Sequence, residues 1–297
     1  MRLVRLIAPL AAAWALVACG RPAPGSRAAG TGSAAQAQLE FRRDGHALRS
    51  LTRAQLETGA AAEEFSVEDH YYRRAKRFRA VSLRRVLEIG FANRAENLVH
   101  EQFVLRAQDG YTVPIAGERL FEDGAYIAVA DLDVPGWEPI GPQHTNPGPF
   151  YMIWRGAAQQ DPETHPRPWQ LASIEIAPFE AAFPHVVPPP APRDGPVARG
   201  FATFRSFCIR CHAINREGGR VGPDLNVPQS IVEYRPVEQI RAYIRNPLAF
   251  RYGAMPPHPS LSDADLDGLV AYFTVMRDHK HDPDAHDAGA SPPHDAP

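Results

Sequence analysis

The sequence predicts two folded regions of different class, an α+β domain over residues 39–180 and an all-α domain over residues 197–278. Three observations carry this. A proline-rich stretch, AAFPHVVPPPAPRDGP at residues 181–196, separates the two. Before it, strand-like runs are punctuated by Pro/Gly turns; after it, apolar residues recur at helical spacing. The length of 297 residues also suits two domains better than one. With 44% hydrophobic and 22% charged residues, the chain is neither a disordered polymer nor a multi-span membrane protein. A net charge of -2 lacks the basic footprint of a nucleic-acid binder, so no nucleic-acid partner is expected. Basic residues are almost all arginine; the lysines are Lys76 and Lys280 alone.

Residues 1–18 read as a signal peptide. Arg2 and Arg5 form a positive start, and the apolar run Leu6 to Ala18 is shorter than the about 20 residues a membrane span needs. The run closes on Leu16-Val17-Ala18-Cys19, which resembles the lipobox of bacterial lipoproteins. That resemblance implies cleavage before Cys19, lipidation of its sulfur and new amine, and a lipid anchor on the periplasmic face of a bacterial membrane. Gly20 in place of aspartate implies the outer membrane. Residues 19–38 are small, polar and aperiodic, the pattern of a flexible tether. If Cys19 carries lipid, Cys208 and Cys211 are the remaining cysteines, too few for a disulfide framework.

In the first domain, Ser50 and Thr52 precede a short helical pattern to Glu57. Ser82 stands where it can cap a helix with Leu83, Val86 and Leu87 on one face and Gly90 as its stop. QFVLRAQ and YTVPI flank Asp109-Gly110, a strong hairpin signal. Further strands are expected at 125–130, 150–154 and 171–176. The proline-rich residues 181–196 read as a semi-rigid spacer.

In the second domain, Val197, Phe201, Phe204 and Cys208 recur at helical steps. Pro236 suits the first turn of a helix carrying Val237, Ile240 and Ile244, ended by Asn246-Pro247. Ser262 and Asp265 form a capping box ahead of the stripe Leu266, Leu269, Val270 and Phe273. The tail, residues 279–297, is polar and expected to be disordered. Its histidines read as a solvated end, with weak metal binding as the alternative.

FCIRCHAINREGGRVGPDL, residues 207–225, holds the chemistry. Cys208, Cys211 and His212 match the Cys-x-x-Cys-His attachment signature of c-type haem. Two thiols three positions apart at a helical turn reach two vinyl groups of one porphyrin, and the adjacent imidazole is held under the iron. A zinc site would need four ligands, and no second cysteine pair exists. A thioredoxin-like switch needs a βαβ context and no histidine. Of the methionines, Met1 leaves with the signal peptide, Met152 lies in the other domain and Met276 sits in an apolar helix face. Met255, in YGAMPPHP, is held out of helix by Pro256 and Pro257 and is the expected sixth ligand, with His258 as runner-up.

Residues 197–278 resemble a class I cytochrome c domain. The match rests on the Cys208–His212 site, on GPDL at 222–225, on GAMPP around Met255, and on Gly200, Phe204 and Tyr272 at the crossing of first and last helices. The resemblance implies one covalent haem c, with Pro223 accepting the ring N–H of His212. A His/Met iron has both axial positions filled, and its default task is one-electron transfer with transient periplasmic or membrane redox partners, needing no general base or nucleophile. The expectation is therefore an electron-transfer protein rather than a catalyst.

The first domain is similar, fragment by fragment (FRRDGHALRSLTRAQL, RFRAVSLRRVLEIG, AQDGYTVPI, GPFYMIWRG, PWQLASIEI), to the core of sulfite-oxidase-type molybdopterin proteins. That family supplies a cysteine thiolate to molybdenum, and no cysteine lies between Gly20 and Phe207. Molybdopterin is therefore not expected, and a non-catalytic domain for docking or small-ligand binding is. Two alternatives stand: an unrelated α+β domain, or an oxidoreductase whose first domain binds substrate or cofactor and feeds the haem.

Overall fold

The structure, a computed structural model, describes residues 37–141, 143–251, 253, 255–283 and 285. The signal peptide, Cys19, most of the tether and the tail beyond residue 285 lie outside the described residues. The chain runs β1 (Gln38–Arg43), β2 (His46–Thr52), α1 (Arg53–Gly59), β3 (Glu63–Asp69), β4 (Arg74–Ser82), α2 (Leu83–Phe91), α3 (Ala95–Leu98), β5 (Gln102–Ala107), β6 (Thr112–Ala116), α4 (Gly117–Leu120), β7 (Ala125–Asp131), β8 (Tyr151–Trp154), β9 (Leu171–Ile176) and α5 (Phe179–Ala182). It continues with α6 (Pro196–Thr203), a π turn over 204–208, the short strands β10 (Ala213–Ile214) and β11 (Glu217–Gly218), α7 (Ile231–Tyr234), α8 (Val237–Arg245) and α9 (Asp263–Arg277). Among the described residues no helix is long and apolar enough to cross a membrane.

The first region is α+β. One sheet has the order β2-β1-β9-β5-β6 and the other β3-β4-β7-β8. All pairings are antiparallel except β1 with β9. Period-two alternation assigns side chains to faces. On β7, Ala125, Ile127 and Val129 join the main core with Phe41, Leu105, Trp154 and α2, while Ala128 joins a second cluster with Phe78, Tyr151 and Ile153 on the other face. Residues 109–110 turn between β5 and β6 with Gly110 at φ +90°, a conformation open to glycine. Thr52 caps α1, accepting from the Gln55 amide at 3.3 Å.

Two local expectations are corrected. Gly90 does not stop α2; Ala92, at φ 49°, does. Gly90 lies where any Cβ would come within 2.0 Å of the Phe41 ring, so it is there for contact, not termination. Ser82 occupies the cap position without a capping bond.

Lys76 is buried on β4, its ammonium 2.8 Å from Asp131 and 2.9 Å from Glu138. Burial opposes the charge, and the two carboxylates overrule it, so the lysine pKa lies above its ordinary value. Lys76→Met strands the buried Asp131 carboxylate and is expected to cost about 3–5 kcal/mol. Urea unfolding measures it; an unchanged midpoint would show that Lys76 is not what neutralises Asp131.

The proline-rich segment does not act as a spacer. Phe183 and Val186 are buried in one cluster with Val104 of β5, Phe204, Tyr272 and Phe273, so both regions share a core and all the described residues fall in one compact unit. The Tyr272 hydroxyl donates to the Val186 carbonyl at 2.7 Å. Proline content misled here because two apolar anchors outweigh the stiffness of their neighbours. The tail also begins later than expected: the His281 ring stacks on His185 at 3.6 Å, and Lys280 pairs with Glu233 at 2.6 Å.

Candidate functional site

Helix α6 enters the site with Pro196 in its first turn and crosses α9 at Gly200 and Gly268. Phe204 is buried against Tyr272 and Phe273, with ring centroids 5.4 and 6.2 Å away. Its helical path runs through the π turn into Cys208 and Ile209. The Cys211 and His212 amides both donate to the Cys208 carbonyl, at 3.1 and 2.9 Å. Cysteines and histidine thus lie on one tight turn with Cys208 packed at the edge of the second core.

The loop after the histidine is built to hold it. A carbonyl can only accept, so Nδ1–H of His212 donates to the Pro223 carbonyl at 2.9 Å. The neutral ring then keeps its Nε2 lone pair free for a metal. Gly222 is a cradle: a Cβ there would come within 2.5 Å of the imidazole. Asp224 holds the following turn, accepting from the Asn226 and Val227 amides at 2.7 and 2.8 Å. Buried Asn226 donates to Asn215 and to the Met276 carbonyl, each at 2.8 Å, tying the loop to α9. Sequence reasoning missed the tie from Asn226 to α9 and the role of Gly268, because their partners are distant in the chain.

Burial pushes the Cys208 thiol up to about 12 and the Cys211 thiol to about 11, and it holds His212 below its ordinary value. Both sulfurs are free. Among the described residues, no three His, Cys, Asp or Glu side chains gather as a metal cage.

Met255 is half-buried against the second core, in the chain between α8 and α9. Met276 is 1% exposed inside α9, and Met152 is buried in the first region. His258 is half-buried, 6.2 Å from the Phe207 ring, with no hydrogen-bond partner at its Nδ1. Val221, Tyr234, Val237, Leu248 and Phe250 are 40% to 58% exposed, an apolar set in the segments following the histidine. Two free thiols and an oriented imidazole on one turn, with a thioether at the same core, fit a porphyrin.

The site is also gripped by the first region, which the sequence did not reveal. The Thr112 amide donates to the Arg210 carbonyl at 2.9 Å, and the Arg220 amide to the Gly110 carbonyl at 3.0 Å. The Arg210 guanidinium donates to the carbonyls of Pro162 and Glu163 at 3.0 and 2.6 Å.

The second region is a cytochrome c domain: residues 195–273 match the family described as "Cytochrome C oxidase, cbb3-type, subunit III". Such a domain implies haem and an electron-transfer function. Among curated proteins, "Cytochrome c oxidase subunit 2" of Alkalihalophilus pseudofirmus is 32% identical over 76 residues, 24% of this chain and 22% of that protein. The chain thus spans about a fifth of that relative's length. Residues 39–180 lie outside the family match.

Proposed function

We propose that this protein carries single electrons through one haem c, attached as thioethers at Cys208 and Cys211 and ligated by His212 and Met255. Cys19 bears the lipid that tethers it to the periplasmic face of a bacterial membrane, the outer membrane by the lipobox reading. When bound, the haem supplies the Fe(III)/Fe(II) couple. The chain's own residues do the rest. Pro223 fixes the His212 tautomer, Gly222 leaves room for the ring, and the second core shields the site from water. Methionine ligation and an apolar surround favour the reduced iron.

The observation that carries this reading is the Nδ1–H of His212 donated to Pro223, on the same turn that presents both thiols. The matched proteins are named as oxidase subunits, which supports a membrane-bound redox complex as the partner class, met in weak and transient encounters. The first domain serves as a docking and supporting module and carries no molybdopterin. A second reading, an oxidoreductase whose first domain feeds the haem, is favoured by the direct grip of residues 110–112 and 162–163 on the attachment loop.

Met255→Ala is expected to open the iron to external ligands and lower its potential, read by carbon monoxide binding and redox titration. A wild-type spectrum and potential in that variant would remove Met255 as the ligand. Molybdenum in elemental analysis of the purified protein would favour the second reading.

A further inference from the structure

We propose that the Asp224 carboxylate, fixed next to the His212–Pro223 hydrogen bond, holds the iron's potential down by its charge. The inference rests on the reading of His212 as an iron ligand. Pro223 is exposed and has no N–H, so neither burial nor a bond from its own amide fixes its carbonyl. Its neighbours do. The Gly222 amide donates to the Cys211 carbonyl at 2.7 Å, and the Leu225 amide to the Ala213 carbonyl at 2.9 Å. Between these two stands Asp224, whose carboxylate accepts three backbone amides. Its Oδ1 takes those of Asn226 and Val227 at 2.7 and 2.8 Å, and its Oδ2 takes that of Arg216 at 2.7 Å. The carboxylate therefore joins the turn after Pro223 to the bend between β10 and β11.

That frame is anchored in turn. Asn226 donates to the Asn215 side chain at 2.8 Å. Buried Asn215 donates to the His185 and His279 carbonyls at 2.8 and 3.0 Å and accepts from the His281 amide at 3.1 Å. The negative charge thus has one place, a residue away from the carbonyl that receives the His212 Nδ1–H at 2.9 Å. A fixed negative charge near the iron favours Fe(III) over Fe(II). The field reaches the ligand: burial lowers the His212 pKa most, and against it the Pro223 carbonyl and the Asp224 carboxylate favour positive charge on the ring. Asp224 in this view offsets part of the rise that methionine ligation and the apolar surround produce.

The test uses the full-length chain with haem attached. Asp224→Asn removes the charge and keeps the shape, with one oxygen still able to accept the Asn226 and Val227 amides. Redox titration against a mediator couple is expected to show the Fe(III)/Fe(II) equilibrium moved about tenfold towards Fe(II), which is about 59 mV for one electron. Solvent exchange of the His212 Nδ1–H is expected to stay within about twofold of wild type. Asp278→Asn removes an equal charge from the exposed end of α9, where Asp278 pairs with Arg277 at 2.9 Å, and is expected to move the equilibrium less than about twofold. A wild-type potential in Asp224→Asn overturns the proposal, as does an equal shift in Asp278→Asn. A shifted potential accompanied by tenfold faster Nδ1–H exchange also overturns it, because the effect then belongs to a loosened loop and not to the charge. The ligand reading fails on a different result, a wild-type spectrum in His212→Ala.

Discussion

Replacing both Cys208 and Cys211 with serine is expected to abolish covalent haem altogether. The hydroxyl is a far weaker nucleophile towards a vinyl group than sulfur, so no thioether equivalent forms. His212 and its Pro223 contact remain, so any haem that associates does so without a covalent link and leaves in acid and organic solvent. The intact mass of the mature polypeptide and the haem retained after extraction read this directly. The loss extends to folding. A group held only by the folded state stabilises that state, and losing it removes that stabilisation. The variant is therefore also expected to unfold its cytochrome region at lower temperature. A wild-type chain, matured with a working attachment system and carrying no adduct mass, would end the electron-carrier account.

Gly200→Ala is expected to be nearly as damaging without touching the site. A Cβ at Gly200 would lie 1.9 Å from the Gly268 carbonyl oxygen, with the carbonyl carbon at 2.2 Å. Those atoms belong to the backbone of α9 and cannot rotate away, so α6 and α9 must part. Overpacking usually costs about 1–3 kcal/mol, and a clash with rigid backbone belongs at the top of that range or above. The contacts of Phe204 with Tyr272 and Phe273 open with it, and Phe204 leads directly into Cys208. The reciprocal change, Gly268→Ala, places its Cβ 2.9 Å from the Gly200 nitrogen and 3.1 Å from the Pro196 carbonyl, a milder intrusion. The expected order of unfolding midpoints is wild type, then Gly268→Ala, then Gly200→Ala. Equal midpoints for the two variants would show that the helix crossing tolerates adjustment that the geometry denies.

Much of the second region was legible because its signals are local. A capping box at Ser262 and Asp265, an apolar stripe from Leu266 to Phe273, and two cysteines with a histidine are each contained within about four turns of chain. The helix α9 begins where the box predicts, with the Asp265 amide 3.2 Å from the Ser262 hydroxyl. In the first region, the hairpin around Asp109-Gly110 and the strands at 125–131, 151–154 and 171–176 were legible for the same reason. Strands β1 to β4 were not anticipated. Their sequences are rich in arginine and glutamate, and on β2 the burial pattern is largely exposed, so alternation alone could not mark them. They are strands because neighbours supply the ladder, as in the parallel pairing of β1 with β9 across about 130 residues.

By itself the sequence determined the cytochrome domain, since its Cys-x-x-Cys-His signature is written in consecutive residues. Only the tertiary structure decided that the first region holds that site. Arg210 reaching Pro162 and Glu163, Phe183 and Val186 buried with Val104 and Tyr272, and Gly268 facing Gly200 are contacts between distant segments. No periodicity records such contacts, because they arise when two separately patterned surfaces exclude water together.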